Sequence, residues 1–146
     1  MFENENTLGR FKSGGIEEEF HREYETAISE FKGSIGKTYP MIIGGEEVFS
    51  TDGTFDDRSP SNTELVVGHF QKGSRDHARN AISVAKKAFA SWASTPYTER
   101  VDIFRRAADL ASGQKFRLAA EMTFENGKTR YEAIADVDEG IDFIRY

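Results

Sequence analysis

The stretch that decides the fold is Glu125-Asn126-Gly127-Lys128, followed by a helical run that ends in Ile141-Asp142-Phe143-Ile144-Arg145-Tyr146. Gly127 is placed to end one helix in the left-handed conformation, which glycine adopts without the steric cost of a Cβ. The next helix is predicted over residues 129–146, because apolar side chains recur there at three- and four-residue spacing. Its inward side chains are predicted to be Ala133, Ile134, Val137, Ile141 and Ile144. The amphipathic pattern is still running at Tyr146, so we expect this helix to pack against segments outside the chain.

Three further helices are predicted between residues 74 and 127. Ser74 is a candidate N-cap, and Asp76 places a negative charge in the first turn, where the helix dipole favours it. Thr95-Pro96 predicts a second start, with the threonine as cap and the proline at the first helical position. Ser112-Gly113 separates that helix from the third. The apolar faces are predicted to contain Ala78, Ala81, Ile82, Ala85, Phe89 and Trp92, then Val101, Phe104, Ala108 and Ala111, then Phe116, Ala119, Ala120 and Phe124.

The N-terminal half carries the predicted strands. Gly44-Gly45 lies between two strand-like runs and predicts a hairpin, because both glycines tolerate the positive φ that a tight turn requires. The strands are too few and too short for an independent sheet of useful size. The predicted elements are an irregular arm over residues 1–14, a helix over 16–32, strands over 39–43 and 46–49, a continuation over 54–58 and a strand over 64–72.

We therefore predict an α+β fold class: an N-terminal helix, a short β-hairpin and strand, and then four helices, as a fragment of an α/β enzyme. The expected organisation has three segments. Residues 1–37 form the arm and first helix, residues 38–73 the hairpin and strand segment, and residues 74–146 the helical segment.

Composition excludes several classes of function. The net charge of −6 disfavours nucleic-acid binding, which depends on lysine and arginine to neutralise phosphates. No apolar run approaches the length of about 20 residues that a membrane helix needs, and the N-terminus has no signal-peptide pattern. We expect a cytoplasmic protein with no nucleic-acid or membrane partner. The chain has no cysteine, which excludes disulfides, thiolate metal sites and cysteine nucleophiles within it.

Other chemical motifs are incomplete. Gly127-Lys128-Thr129 comes nearest to a phosphate-binding loop, but Met122 stands where that motif requires glycine. The histidines, which are His21, His69 and His77, lack the spacing of helical metal ligands, so we predict no metal site. The carboxylates Glu132, Asp136 and Glu139 share one helix face and are interpreted as solvent-facing, balanced by Lys128 and Arg130. The helical stripes carry more aromatic side chains than their mutual contacts could cover, which indicates apolar surface intended for a partner.

With these elements in this order, the chain resembles the N-terminal portion of aldehyde dehydrogenases. Each matching motif is short, and their order and spacing together are specific. The motifs are Ile43-Gly44-Gly45-Glu46, Ser59-Pro60, Val67-Gly68, Ala81-Ile82, Ala88-Phe89-Ala90-Ser91-Trp92, Glu99-Arg100, Glu125-Asn126-Gly127-Lys128, Glu132-Ala133 and Asp142-Phe143-Ile144-Arg145-Tyr146. Phe2-Glu3-Asn4-Glu5, the helix before Tyr39-Pro40, and Ile141-Asp142-Phe143 are similar to the 1-pyrroline-5-carboxylate dehydrogenases within that family.

The resemblance implies an enzyme that oxidises L-glutamate γ-semialdehyde to glutamate with NAD, in proline breakdown. In that family a cysteine thiolate attacks the aldehyde, a hydride passes to the nicotinamide, and a glutamate activates the water that hydrolyses the thioester. Those residues lie downstream of the matching region. No catalytic, cofactor-binding or metal-binding residue is therefore assigned to this chain, which we expect to be a peripheral part of an incomplete NAD-binding domain.

The resemblance also implies partners. They are the remainder of the dehydrogenase chain and, for the full-length parent, further copies in a homo-oligomer; NAD is the parent's cofactor, and this chain alone is not expected to bind it tightly. Two alternatives stay open from the residues. The chain could be part of another aldehyde dehydrogenase, or a small non-catalytic interaction module.

Overall fold

The computed structural model describes residues 4–146 of the chain. Over that range the elements follow the predicted order, with one additional short helix and one additional short strand near the N-terminus. The helices are α1 (Thr7–Ser13), α2 (Glu17–Lys32), α3 (Arg75–Ser94), α4 (Tyr97–Gly113), α5 (Lys115–Asn126) and α6 (Arg130–Arg145). The strands are β1 (Lys37–Tyr39), β2 (Met41–Ile43), β3 (Glu46–Val48), β4 (Thr54–Arg58) and β5 (Val66–Gln71). The mixed α/β architecture is the predicted one.

The core lies where α5 packs against both α2 and α6, with α1 contacting α2 and α6, and α4 contacting α5 and α6. Phe20, Tyr24, Ile134 and Ile141 are its largest fully buried side chains. Their spacing explains the two helices that present them, since Phe20 and Tyr24 are four residues apart and the isoleucines seven. Tyr24 can be buried because its hydroxyl donates a hydrogen bond to the Ala119 carbonyl at 2.9 Å, so the hydroxyl is paired.

The strands form two small sheets. Parallel β1 and antiparallel β4 flank β5 in the first, and β2 pairs with β3 in the second. Gly44 and Gly45 have φ of +67° and +87°, which confirms the predicted hairpin turn. A Cβ on Gly44 would come within 3.0 Å of Val84 on α3, so this glycine also permits the hairpin to approach that helix.

The predicted irregular arm is wrong for residues 7–13, which form α1. The helix begins because Asn6 accepts a hydrogen bond from the Gly9 amide at 3.0 Å. Phe11 holds it in place through edge-on contacts with Phe20 and Phe116, at centroid distances of 5.7 and 6.0 Å. Tertiary packing therefore stabilises a helix that is too short to form alone. Residues 1–3, including the start of the Phe2-Glu3-Asn4-Glu5 motif, lie outside the described range.

Three boundaries and orientations differ from prediction. Pro40 divides the expected strand 39–43 into β1 and β2, because proline has no amide hydrogen for a ladder. Pro96 is the N-cap of α4 rather than its first residue, and Thr95 instead ends α3, donating its hydroxyl to the Ser91 carbonyl. Ile144 was expected inward but is 38% exposed, since no described segment covers the last turn of α6.

Helix α3 has no buried residue among the described contacts, and its main neighbour is β2. Ile82 and Phe89 on its predicted apolar face are 58% and 68% exposed. On the predicted apolar face of α4, Phe104 is 52% exposed whereas Ala108 is buried. The uncovered apolar surface that the sequence indicated is thus present along α3 and one side of α4. No helix within residues 4–146 is both long and apolar enough to cross a membrane.

Replacing isoleucine by alanine should have different effects in the core and on the exposed face of α3. Ile134→Ala should lower the free energy of unfolding by about 3 kcal/mol, because it leaves a cavity in a fully buried site. Ile82→Ala should change it by less than about 0.5 kcal/mol, because the side chain is exposed on α3. Urea unfolding followed by circular dichroism measures both. Equal losses for the two variants would contradict this description of the core.

Candidate functional site

The most extensive polar cluster in the described residues is buried and ionic. It connects the N-terminal arm, defined as residues 4–13 and including α1, to helices α4, α5 and α6. We call it the Glu5 cluster. Its members share low exposure or direct contact with the arm. They are Glu5 and Thr7 from the arm, Ser112 from α4, Lys115 from α5, and Asp138, Asp142 and Arg145 from α6.

Glu5 lies at the centre of the cluster. Its side chain is only 5% exposed, and both carboxylate oxygens are paired. Lys115 Nζ donates to one oxygen at 2.5 Å, and Arg145 donates to the other at 2.6 Å. The Ser112 hydroxyl adds a third hydrogen bond at 3.0 Å. Pairing of this kind is what makes a buried carboxylate tolerable, because an unpaired charge would be costly to remove from water.

Asp138 on α6 holds the arm at Thr7, two residues after Glu5. The Thr7 amide and hydroxyl both donate to its carboxylate at 2.8 Å. Lys115 donates to the Thr7 hydroxyl at 3.0 Å and lies 3.7 Å from Asp138. The Glu5 amide also donates to Asp142 at 2.8 Å. Backbone and side chains of residues 5–7 are therefore both held by the same helices.

The electrostatics favour the ionised form of Glu5. Burial by itself raises the pKa of this carboxyl, but the hydrogen bonds from Lys115, Arg145 and Ser112 outweigh it and lower the pKa to about 2. The same contact raises the pKa of the Arg145 guanidinium. A carboxylate that is ionised and fully occupied as an acceptor neither donates nor takes up a proton near neutral pH. Its role in this chain is therefore cohesion rather than acid–base chemistry.

A groove of about 540 Å³ runs beside the cluster, between the arm and α6. Two of its lining residues are Glu139 and Phe143. The Glu139 side chain makes no hydrogen bond or ion pair within the described residues, and Phe143 is 72% exposed. Acidic and apolar groups therefore face the opening, and no cysteine exists in the chain to act as a nucleophile. The lining residues are Asn4, Glu5, Asn6, Leu8, Ala135, Asp138, Glu139, Asp142, Phe143 and Tyr146.

A second recess, of about 380 Å³, lies between α4, α5 and α6. Glu125 lines it, and burial, followed by the negative charges of Glu121 and Asp57, raises the pKa of that carboxyl. Most of the other lining side chains are apolar, including Met122 and Ile144. The recess is a largely apolar surface that also contains the carboxyl groups of Glu121 and Glu125.

The stretch Glu125–Lys128 has a structural role in the described chain. Gly127 has φ of +69° and ends α5, which confirms the predicted left-handed cap. A Cβ at that position would lie 3.1 Å from Pro60, so glycine also permits the loop after β4 to pack against the turn. Lys128 forms an ion pair with Asp136 on α6.

The three histidines lie apart, and each makes its own local contact. His77 takes part in the capping box of Ser74, His69 pairs with Asp56 at 2.9 Å, and His21 lies beside Tyr131. Within residues 4–146 no three histidine, cysteine or carboxylate side chains are arranged to hold a metal ion.

The face with Glu132, Asp136 and Glu139 has a more specific structure than the sequence analysis assigned. Glu132 accepts the Thr129 amide and hydroxyl, and these hydrogen bonds lower the pKa of its carboxyl. Asp136 pairs with Lys128 as expected, whereas Arg130 pairs with Glu25 on α2. The missed signal was Thr129-x-x-Glu132, which is the sequence pattern of a capping box.

Sequence reasoning also missed the Glu5 cluster. One signal was available, because Asp138 lies four residues after Ile134 and three before Ile141, on the buried face of α6. A carboxylate at such a position requires partners, which the sequence does not identify. Glu5 gave no signal, since it lies in a segment without periodicity.

Comparisons with known proteins identify the relatives of this chain. Residues 48–146 match the model of the aldehyde dehydrogenase family. The chain is 39% identical over 123 residues to a 1-pyrroline-5-carboxylate dehydrogenase from Geobacillus sp., covering 84% of this chain and 24% of the relative. It is 34% identical over 128 residues to one from Oceanobacillus iheyensis, covering 88% of this chain and 25% of the relative.

A solved structure gives the same result. The 1-pyrroline-5-carboxylate dehydrogenase from Thermus with bound NAD matches with a TM-score of 0.88 and 33% identity. The match covers 100% of this chain and 27% of that chain. This chain thus spans about a quarter of the length of the relatives it matches.

The Glu5 cluster predicts a specific acid sensitivity. A carboxyl whose folded-state pKa is lowered from 4.5 to about 2 adds stability that is complete above its unfolded pKa. That contribution, about 3 kcal/mol, should disappear as the pH falls from 4.5 towards 2. Urea unfolding of the native chain and of Glu5→Gln should therefore differ strongly at pH 7 and converge at low pH.

Glu64→Gln provides the matched control, because Glu64 is exposed and only its backbone amide makes a described hydrogen bond. That variant should follow the native chain at every pH. A constant difference between Glu5→Gln and the native chain from neutral to acid pH would refute the assignment of this titration to Glu5.

Proposed function

The chain belongs to the aldehyde dehydrogenase family, and on that premise we propose that it is the N-terminal part of an NAD-dependent 1-pyrroline-5-carboxylate dehydrogenase of proline degradation. The parent enzyme would oxidise L-glutamate γ-semialdehyde to the carboxylate. The observation that carries this proposal is the match, along the whole chain, to the NAD-bound Thermus dehydrogenase. The two curated relatives described above carry the same enzyme name and support the choice within the family.

In this proposal the chain contributes structure, and the rest of the parent contributes chemistry. The family's reaction needs a thiolate nucleophile, and no residue of this chain can supply one because it has no cysteine. Its best-satisfied ionisable group, Glu5, is committed to Lys115 and Arg145. We therefore infer that the chain is inactive alone and does not bind NAD tightly by itself.

The proposed partner is the remainder of the dehydrogenase. The apolar face on α3 and α4 supports this, because contiguous exposed apolar surface normally marks an interface. Phe89 is 68% exposed, Tyr97 is 72% exposed and Leu110 is 67% exposed. Trp92 packs against the guanidinium of Arg100, at 6.0 Å from the ring centroid, yet stays 40% exposed. We infer that the parent is a cytoplasmic homo-oligomer without a nucleic-acid or membrane partner.

A second candidate is a small interaction module that docks on a separate protein. The same apolar face favours it, since a surface of aromatic and arginine side chains has the composition of a binding hot spot. The two proposals differ in what covers α3. A continuation of the same polypeptide covers it in the first, and another polypeptide covers it in the second. As a third candidate, the chain is part of another aldehyde dehydrogenase. The substrate of the parent enzyme distinguishes this candidate from the first.

The isolated 146-residue chain should form no NADH from pyrroline-5-carboxylate and NAD. The physical reason is the absence of a thiol nucleophile. Absorbance of NADH measures the reaction, with the heat-treated chain as control. Turnover that stays with the chain through successive chromatographic steps would overturn the proposed inactivity.

The native polypeptide that carries this sequence can be isolated with an antibody against the exposed acidic side of α2. Its intact mass should be about four times that of the 146-residue chain, because the chain covers 25% of a relative. It should reduce NAD faster with pyrroline-5-carboxylate than with simple aliphatic aldehydes. A preference for another aldehyde would favour the third candidate, and a mass equal to that of the chain would favour the interaction module.

A further inference from the structure

The geometry points to a reciprocal coupling between the N-terminal arm, residues 4–13, and the last turn of α6, residues 142–145, with Glu5 as the positioning residue that orders both. This coupling is a property of the described chain and does not depend on the proposed function. It makes residues 4–13 and residues 142–145 one cooperative unit.

The arm depends on α6 for its polar contacts. Asp142 accepts the Glu5 amide, and Asp138 accepts both the amide and the hydroxyl of Thr7. Thr7 is only 4% exposed, so its polar groups have little access to water when the arm is docked. Loss of these acceptors would leave buried donors unpaired, which favours undocking of the arm.

The last turn of α6 depends on the arm in return. Arg145 has two acidic partners, Glu5 at 2.6 Å and Asp109 at 3.3 Å. The Asp109 side chain is 73% exposed, so solvent screens that pair, whereas the Glu5 side chain is 5% exposed. Glu5 is therefore the stronger anchor for Arg145, and the exposed Ile144 adds little burial to hold the turn.

The cluster has few charges that could replace Glu5. The acidic side chains facing it are Asp109, Asp138 and Asp142, and the cations are Lys115 and Arg145. Lys115 would keep Asp138 at 3.7 Å, but no other carboxylate of the cluster contacts both cations. Removing the Glu5 carboxylate thus breaks the only ion pair in the cluster between the arm and the last turn of α6, whereas the hydrogen bond from the Glu5 amide to Asp142 remains.

Apolar contacts keep the rest of the arm attached when the bridge is lost. Phe11 packs edge-on against Phe20 and Phe116 at 5.7 and 6.0 Å, independently of Glu5. The expected consequence is local opening rather than global unfolding, since α2 and α5 retain their own core contacts.

Hydrogen exchange of the full chain tests the coupling. Glu5→Gln and Arg145→Gln should each accelerate amide exchange about tenfold or more in both residues 7–13 and residues 142–146. The double variant should exceed the faster single variant only slightly, because both changes break one bridge. Amides in the centres of α2 and α5, which exchange only when the whole chain unfolds, should accelerate by no more than the loss of unfolding free energy that urea measures for the same variant, and Glu64→Gln should match the native chain.

Two results would overturn the coupling. In one, Glu5→Gln loosens the arm alone while Arg145→Gln loosens only α6. In the other, the effects of the two single variants add fully in the double variant. If Glu5→Gln prevents the chain from folding, Ser112→Ala replaces it, because this change removes only one hydrogen bond to Glu5. A smaller acceleration at both ends supports the coupling, and acceleration at one end alone refutes it.

Discussion

The packing of α5 against both α2 and α6 is the interaction on which the rest of the chain depends. Phe20 and Tyr24 enter the space between the two later helices and are fully buried there. Because the Tyr24 hydroxyl bonds to the Ala119 carbonyl and lies 2.8 Å from the Thr123 hydroxyl, the contact is specific as well as apolar. It brings residues far apart in sequence into one core, and α1 packs beside it against α2 and α6.

Elements with strong local signals could be predicted from the sequence. The hairpin at Gly44-Gly45, the Ser74 cap and the Gly127 cap each follow from a backbone requirement that a few neighbouring residues satisfy. Helix α1 could not be found in this way, because its seven residues are stabilised mainly by Phe11 packing on distant aromatic rings. The Glu5 cluster was missed for the same reason. Glu5 and Thr7 are separated from its other members by more than a hundred residues, and only the folded chain brings them together.

The described chain has two different sides. We call the side whose groups are buried within the chain closed, and the side that exposes apolar residues open. On the closed side, buried ions and aromatic rings satisfy one another within the chain. On the open side, α3 and part of α4 expose residues that the sequence pattern had placed on apolar helix faces. A family relationship explains the combination, because a segment that spans about a quarter of its relatives' length can complete one core and still contribute a face to another. The amphipathic pattern is correct in both places, although only one of the two faces is covered by described residues.

The edge strand β4 has a consequence for how the chain behaves at high concentration. Its outer backbone groups have no strand partner in the described sheet, and such edges can template intermolecular β-pairing. Asp56 and Asp57 lie in the middle of this strand, and Asp56 is fixed by Arg58 and His69. Charged side chains on an edge strand disfavour such pairing, because a second strand laid alongside would have to remove them from water. The strand therefore carries its own protection against fibrous aggregation, which a chain with an exposed apolar helix needs during synthesis and storage.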